Sequence, residues 1–240
     1  MSSLEEARRA IRNTRPRRIV VLTGAGVSAD SGIPTFRGAG GLWRNFRAEE
    51  LATPEAFRRD PALVWEWYEW RRKLIREAKP NAAHEALARL PAAVVVTQNV
   101  DGLHARAGSR DVVELHGSIL RVRCVQEGTT QLREEPFEAL PPHCACGALL
   151  RPDVVWFGEM LPEAAVARAT AVVRSADLLL VIGTSGVVYP AAGFVTMHAG
   201  LSIEINPEAS AVSSACTLAV AERAAVAVPP LVDAILEAQS

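Results

Sequence analysis

Five small groups of residues carry side chains or backbone whose spacing suits chemistry. Gly24-Ala25-Gly26-Val27-Ser28-Ala29 fits G-x-G-x-x-G/A and follows the apolar run RRIVVLT. A strand that stops at such a loop and opens a helix is the setting of a dinucleotide phosphate site. Gly24 permits the tight turn, Gly26 lets the backbone approach a pyrophosphate, and the free amides of the helix N-terminus face the phosphate oxygens. Gln98, Asn99 and Asp101 stand just after a second apolar run, AAVVVT, and His116 just after a third, DVVEL. Ligands of open α/β sheets bind beyond such strand ends, and an imidazole with an ordinary pKa near 6.5 suits proton transfer at neutral pH. Cys124, Cys144 and Cys146 crowd into one stretch, which suggests a metal before a disulfide. Tyr68 and Arg71 stand three apart in WEWYEWRR, on one face if that segment is a helix.

The elements that must position these groups are legible in the periodicity. Arg18–Thr23, Ala92–Thr97, Asp111–Leu115, Leu178–Ile182 and Ser202–Asn206 are short apolar runs expected as buried strands. Helices are expected at Leu4–Ile11, from Gly24–Ser31, and at Pro61–Lys79, His84–Leu90, Pro162–Ser175, Pro190–His198 and Pro229–Glu237. Gly32–Trp43, rich in Gly and Pro, reads as a long loop. Ser118–Arg151 has no strong period and needs an added constraint to be ordered. Continuous apolar strands alternating with helices predict an α/β fold, a parallel sheet with helices on both faces. The 240 residues suffice for one large domain carrying a smaller one. A formal net charge of −1 gives no field to draw the chain to nucleic acid or to a membrane surface. No apolar run reaches the roughly 18 residues of a membrane span. The first residues lack the apolar stretch of a signal peptide, so the expected location is cytoplasmic.

The dinucleotide reading has one departure. A dehydrogenase of this type expects an acidic residue about 20 positions after the glycines to hold a ribose. That region here is the loop and RNFRAEE, and the better ribose candidate is Asn206, at the end of SIEIN.

Six blocks explain the departure together. GAGVSADSGIPTFRG (Gly24–Gly38), TQNVDGLH (Thr97–His104), ELHG (Glu114–Gly117), FGE (Phe157–Glu159), GTS (Gly183–Ser185) and EIN (Glu204–Asn206) closely resemble the signature blocks of the sirtuins, in that family's order. The resemblance spans most of the chain. It implies a Rossmann-like large domain, about residues 1–33, 80–117 and 155–240. It also implies a small domain from insertions, about 34–79 and 118–154, made of helical and zinc-type modules. NAD and an acyl-lysine protein or peptide would meet in the cleft between them. By the same resemblance Gly24, Ala25, Gly26, Ser28, Phe36, Arg37, Trp43, Gly183, Thr184, Ser185 and Asn206 line the NAD site, and the 32–43 loop closes over it. Gln98 takes the ribose, and Asn99 and Asp101 the nicotinamide carboxamide. Ala225 falls at the adenine position, although RAAVAVPPLV departs from the family's usual Gly-Glu there. His116 is the implied general base and Asn99 its catalytic companion, whereas His104 reads as structural. The implied reaction consumes NAD. The acyl-lysine oxygen attacks C1′ of the nicotinamide ribose, nicotinamide leaves, His116 helps deprotonate the ribose hydroxyls, and water yields free lysine and 2′-O-acyl-ADP-ribose. The enzyme is expected to act as a monomer.

Tyr68 and Arg71 resemble the Tyr-x-x-Arg pair of the sirtuin branch that accepts succinyl- and malonyl-lysine, and Thr35 and GAGGLW fit the same branch. Arg can grip a carboxylate with two parallel hydrogen bonds and Tyr adds a third, whereas a neutral acetyl group offers the guanidinium nothing to pair with. Val155, Phe157 and Gly158 would flank the peptide, mainly through backbone. The family's structural zinc would use Cys124, Cys144 and Cys146, with Glu127 or His143 completing four; loss of the metal is the alternative that the absent fourth cysteine leaves open. The competing functions are deacetylation alone, protein ADP-ribosyl transfer, a dehydrogenase and a non-catalytic NAD binder.

Overall fold

The computed structural model describes residues 2–35, 48–187 and 191–239. From the N-terminus the chain forms α1 (Leu4–Thr14), β1 (Ile19–Thr23), a 3-10 turn (Ala25–Ser31), α2 (Ala48–Leu51), α3 (Pro54–Arg59), α4 (Pro61–Glu77) and α5 (Ala82–Ala88). It continues through β2 (Val94–Thr97), α6 (Leu103–Arg106), β3 (Asp111–Glu114), β4 (Gly117–Cys124), β5 (Thr130–Leu132) and β6 (Leu150–Val154). The last elements are α7 (Glu163–Ser175), β7 (Leu178–Ile182), α8 (Ala191–Met197), β8 (Leu201–Ile205), β9 (Leu218–Val220) and α9 (Ala224–Gln239).

Six strands make one sheet in the order β3-β2-β1-β7-β8-β9, and every pairing in it is parallel. All five residues of β1 and of β7 are buried. Alternate side chains explain this: Val21, Val95, Leu180 and Ile203 meet α1, α5 and α9 in one apolar cluster, while Val20, Leu22, Val96 and Val181 meet α7 and α8 in another. The expected two-sided α/β sheet is therefore present. Burying each such Val, Leu or Ile contributes about 1.5–3 kcal/mol, so the central strands hold the sheet most firmly.

Sequence periodicity missed the short helices α2, α3 and α6 and three further features. The 118–151 stretch is an antiparallel sheet, β5-β4-β6, whose register slips between Ser118 and Val122. A bulge of this kind breaks the two-residue alternation that betrays a strand, and β5 is exposed throughout. Strand β9 is only three residues long. Helix α9 begins at Ala224, five residues before the expected start, because Pro229 and Pro230 lie inside it. A lesser difference is that Gly24–Ser31 winds as a 3-10 turn and not as an α-helix.

The small sheet and α2–α4 share a third apolar cluster, containing Trp65, Tyr68, Ile119, Val122 and Trp156. As the helical spacing predicts, Trp65, Tyr68 and Arg72 all face inward. Trp65 Nε1 donates to the Leu150 carbonyl at 2.7 Å. The fully buried Arg72 donates to Glu69 and to the carbonyls of Ile119, Arg133 and Glu135. It thus ties α4 to β4 and to the chain after β5. Arg72→Leu keeps the bulk and leaves those carbonyls without their donor. Denaturant unfolding of this variant is expected to show a loss of about 3 kcal/mol; a loss under about 0.5 kcal/mol, typical of an indifferent surface change, would contradict the role given to Arg72.

Candidate functional site

The order of the sheet reverses between β1 and β7: from β1 the chain steps to β2 and β3, and from β7 to β8 and β9. Crossovers leave such a point in opposite directions and open a crevice beyond the strand ends. Residues predicted for the site follow those ends: Gly24 after β1, Gln98, Asn99 and Asp101 after β2, His116 after β3, Gly183 to Ser185 after β7, and Asn206 after β8. Ala225 lies in the first turn of α9, just beyond β9. The missing amide hydrogens of Pro229 and Pro230 deprive the Ala225 and Val226 carbonyls of their i+4 helical partners.

The glycines act first on packing. A Cβ on Gly26 would stand 2.7 Å from Gly183 Cα, and one on Gly183 only 2.4 Å from the Val27 nitrogen. The Gly26 amide donates to the Gly183 carbonyl at 2.9 Å, and the Val27 amide to the Gly24 carbonyl at 3.2 Å. This corrects the expectation that the amides opening the turn are all free for phosphate: two are committed internally, and Ala25 offers the remaining one. Side chains then join the strand ends. Gln98 Nε2 donates to Thr184 Oγ1 at 2.9 Å, and Asn206 Nδ2 to the Thr184 carbonyl at 3.0 Å.

Beneath the crevice lies a buried polar network. Ser28, expected to line the cofactor, is fully buried. Its hydroxyl donates to Asp101 Oδ2 at 2.8 Å and accepts from Asn99 Nδ2 at 3.2 Å. His84 takes the Asn81 amide on Nδ1, so its neutral ring carries the proton on Nε2, which donates to Ser28 Oγ at 3.5 Å. Ser28 therefore uses its one donor and both acceptor positions. The other oxygen of Asp101 accepts the Leu103 amide at 2.9 Å. Asn99 keeps its Oδ1 without a partner among the described residues. His104, expected to be structural, is. Thr23 gives its only hydroxyl proton to Thr97, so His104 Nε2 must donate to Thr23 Oγ1 at 3.0 Å. Burial, with the neighbouring His84, pushes its pKa down to about 3. His84 had no motif to mark it; its one local signal is the Asn81-x-x-His84 cap of α5, and its functional partner lies 56 residues away.

His116 is half-buried, and its Nδ1 lies 2.8 Å from the Gln98 carbonyl. A carbonyl only accepts, so Nδ1 holds the proton and the neutral ring presents Nε2 as a base. Burial lowers its pKa, and the Gln98 carbonyl opposes that shift.

Tyr68 and Arg71 share a face, with the Arg71 guanidinium 5.6 Å from the Tyr68 ring and 4.8 Å from that of Trp67. Burial lowers the Arg71 pKa, opposed by Tyr68 and by the Asp101 carboxylate. Arg71 thus lies within electrostatic reach of the network below the crevice. Trp156 Nε1 donates to the Tyr68 hydroxyl at 2.9 Å, a contact that sequence spacing did not reveal. Of the residues expected to flank a peptide, Val155 donates its amide to the His116 carbonyl and Phe157 to the Ala52 carbonyl, both at 2.9 Å. Those amides are unavailable to a ligand, whereas Phe157 is half-exposed and the Gly158 amide has no partner among the described residues. Phe36, Arg37 and Trp43 lie outside the described residues.

Away from the crevice, Cys124, Glu127, Cys144 and Cys146 bring their ligand atoms within 4.8 Å of one another. Three sulfurs and a carboxylate at that spacing fit tetrahedral zinc, whose bonds of about 2.3 Å to sulfur would draw them slightly closer. His143 is exposed and outside this group, whereas Glu127 lies within it.

Two outcomes follow. Protein purified without chelator should carry about one zinc per chain, and stripping it should lower the melting temperature; a metal-free protein of unchanged stability would contradict the cluster reading. For His104 the folded pKa is the lower one, so its contribution is complete above pH 6.5 and is lost as pH falls toward 3. The slope approaches about 1.4 kcal/mol per pH unit at most. His104→Asn should flatten stability between pH 6 and 4, and an unchanged slope would contradict the buried neutral ring.

A model of the Sir2 family matches residues 24–190. A protein of Pyrobaculum aerophilum named NAD-dependent protein deacylase 2 is 55% identical over 227 residues, covering 91% of each chain. Among solved structures, a mutant Sir2 homologue in complex with 2′-O-acetyl ADP ribose superposes with a TM-score of 0.92 at 44% identity, covering 100% of this chain and 98% of its own. A Sir2 homologue in complex with NAD gives 0.91 at 45% identity, covering 98% and 95%. Matched by that model from the glycine turn to the segment beyond β7, and by relatives along nearly its whole length, this chain belongs to the Sir2 family.

Proposed function

We propose that this chain is an NAD-dependent protein-lysine deacylase, and that it favours acyl groups ending in a carboxylate. The observation that carries the reading is His116: with Nδ1 donating to the Gln98 carbonyl, Nε2 is a neutral base beside the strand ends where NAD would lie. In this reading the Ala25 amide and the glycine turn take the phosphates, and Asn206, beyond β8, a ribose. Asn99 Oδ1 accepts from the nicotinamide carboxamide, held in place by Ser28 and Asp101. His116 Nε2 takes a proton from the ribose hydroxyls, and depression of its pKa keeps it ready to do so at neutral pH. NAD itself supplies the glycosidic carbon and is consumed. The NAD complex and the 2′-O-acetyl ADP ribose complex of the related structures support this assignment by analogy.

The acyl preference rests on Tyr68 and Arg71. A guanidinium already weakened by burial gains most from a ligand that brings its own negative charge. The cysteine cluster stands apart as a structural zinc site.

The protein incubated with NAD and acetyl-, succinyl- or malonyl-lysine peptides should release nicotinamide and free lysine, with 2′-O-acyl-ADP-ribose seen by mass spectrometry. Label on protein in place of peptide turnover would indicate ADP-ribosyl transfer instead. Arg71→Met should reduce kcat/KM on succinyl peptide about 30-fold or more, the ~2 kcal/mol of a desolvated charged contact; equal loss on acetyl peptide would remove the preference. Activity should fall as pH drops through the His116 pKa, with its acid limb below pH 6.5; a limb centred above 7 would contradict the base assignment.

A further inference from the structure

Tyr68 is almost wholly buried, yet its hydroxyl has a definite polarity. The indole Nε1–H of Trp156 can only donate, and it lies 2.9 Å from Tyr68 Oη. Tyr68 Oη is therefore the acceptor in that bond, and its own proton must go elsewhere. Among the described residues nothing accepts it. A buried hydroxyl with a satisfied oxygen and an unplaced proton is a donor awaiting an acceptor.

Trp156 is itself held firmly. Its ring lies under the Arg151 guanidinium at 3.5 Å and beside Phe57 at 5.2 Å. Arg151 in turn pairs with both oxygens of Glu159, at 2.6 and 2.9 Å, and donates to the Val154 carbonyl at 2.9 Å. Glu159 closes the loop by accepting the Trp156 amide at 2.9 Å. The segment 151–159 is thus folded onto its own ion pair, and the indole N–H is aimed by it.

We propose that Trp156 is a positioning residue for acyl selectivity: by donating to the Tyr68 oxygen, it leaves the phenol proton for another partner and so favours acyl groups whose far end is an acceptor. A carboxylate accepts at every lone pair, and the donated indole proton polarises the phenol so that it gives its own more strongly. A terminal ammonium, which can only donate, meets the wrong partner. The inference rests on the acyl-carboxylate reading above and adds the device that enforces it. Burial raises the Tyr68 pKa while the Trp156 bond and the Arg71 charge oppose that shift, which keeps the proton on the oxygen at neutral pH.

The test compares kcat and KM for succinyl- and acetyl-lysine peptides in the wild type, Arg71→Met, Tyr68→Phe, Trp156→Phe and the Trp156→Phe, Tyr68→Phe double variant. Trp156→Phe should lower the succinyl-to-acetyl ratio of kcat/KM about fivefold to tenfold, the worth of one polarised hydrogen bond, chiefly by raising KM for the succinyl peptide. In the Tyr68→Phe background the same change should move that ratio less than about twofold, because the coupling partner is gone. If Trp156→Phe fails to fold, Arg151→Lys keeps the charge, loses the fork onto Glu159 and should lower the ratio in the same direction. Equal losses on both peptides, or a full effect of Trp156→Phe in the absence of the Tyr68 hydroxyl, would overturn the inference while leaving the carboxylate reading intact. No succinyl preference in the wild type, or none lost in Arg71→Met, would remove the reading and this inference with it.

Discussion

Two backbones meet without side chains where the sheet reverses. Gly26 and Gly183 come so close that a Cβ on either would collide with the other's main chain, and the Gly26 amide is bonded across the gap. That contact fixes the turn after β1 against the turn after β7, and hence the shape of the crevice. Gln98 and Asn206 both reach Thr184, the residue after Gly183. Four strand ends, those of β1, β2, β7 and β8, are thereby locked to one another, and what lines the crevice inherits its geometry from strands buried on both faces.

Polar chemistry is held by the same frame, one layer down. Ser28, Asn99, Asp101 and His84 satisfy one another with the hydroxyl of Ser28 at the centre. Such a network is costly unless it is complete, and nearly every buried position in it has a partner. The exceptions are informative. The partnerless Nδ1 of His104 is a buried lone pair that disfavours protonation. The Oδ1 of Asn99, without a partner among the described residues, is left open to a ligand's donor. His116 belongs to a different logic, since it is oriented by a backbone carbonyl and not by another side chain. Its tautomer is therefore fixed by the fold of residue 98, which the β2 strand sets.

Much of this was legible in the residues. Strands such as LLLVI announced themselves because a doubly covered sheet needs unbroken apolar runs, and the ordered blocks from Gly24 to Asn206 placed the crevice. The antiparallel sheet of 117–154 was hidden by its bulge, and α9 by two prolines that normally mark a boundary. At the site, residue types were visible but their partners were not. The sequence marks Ser28 but not its bonds to Asp101 and Asn99, and Glu127 and His143 are equal zinc candidates until the turns around Cys124 and Cys144 bring one in and leave the other outside. Trp156 is core; that its N–H is aimed at Tyr68 is a long-range fact, 88 residues apart, which no local period encodes.

The most direct test of the account is the tautomer of His116. Nitrogen NMR of the imidazoles, assigned with a His116→Asn variant, should find the neutral ring of His116 protonated on Nδ1 and bare on Nε2, titrating below pH 6.5. A ring protonated on Nε2 at neutral pH, or one titrating above 7, would leave the crevice without its base and contradict the mechanism drawn from it.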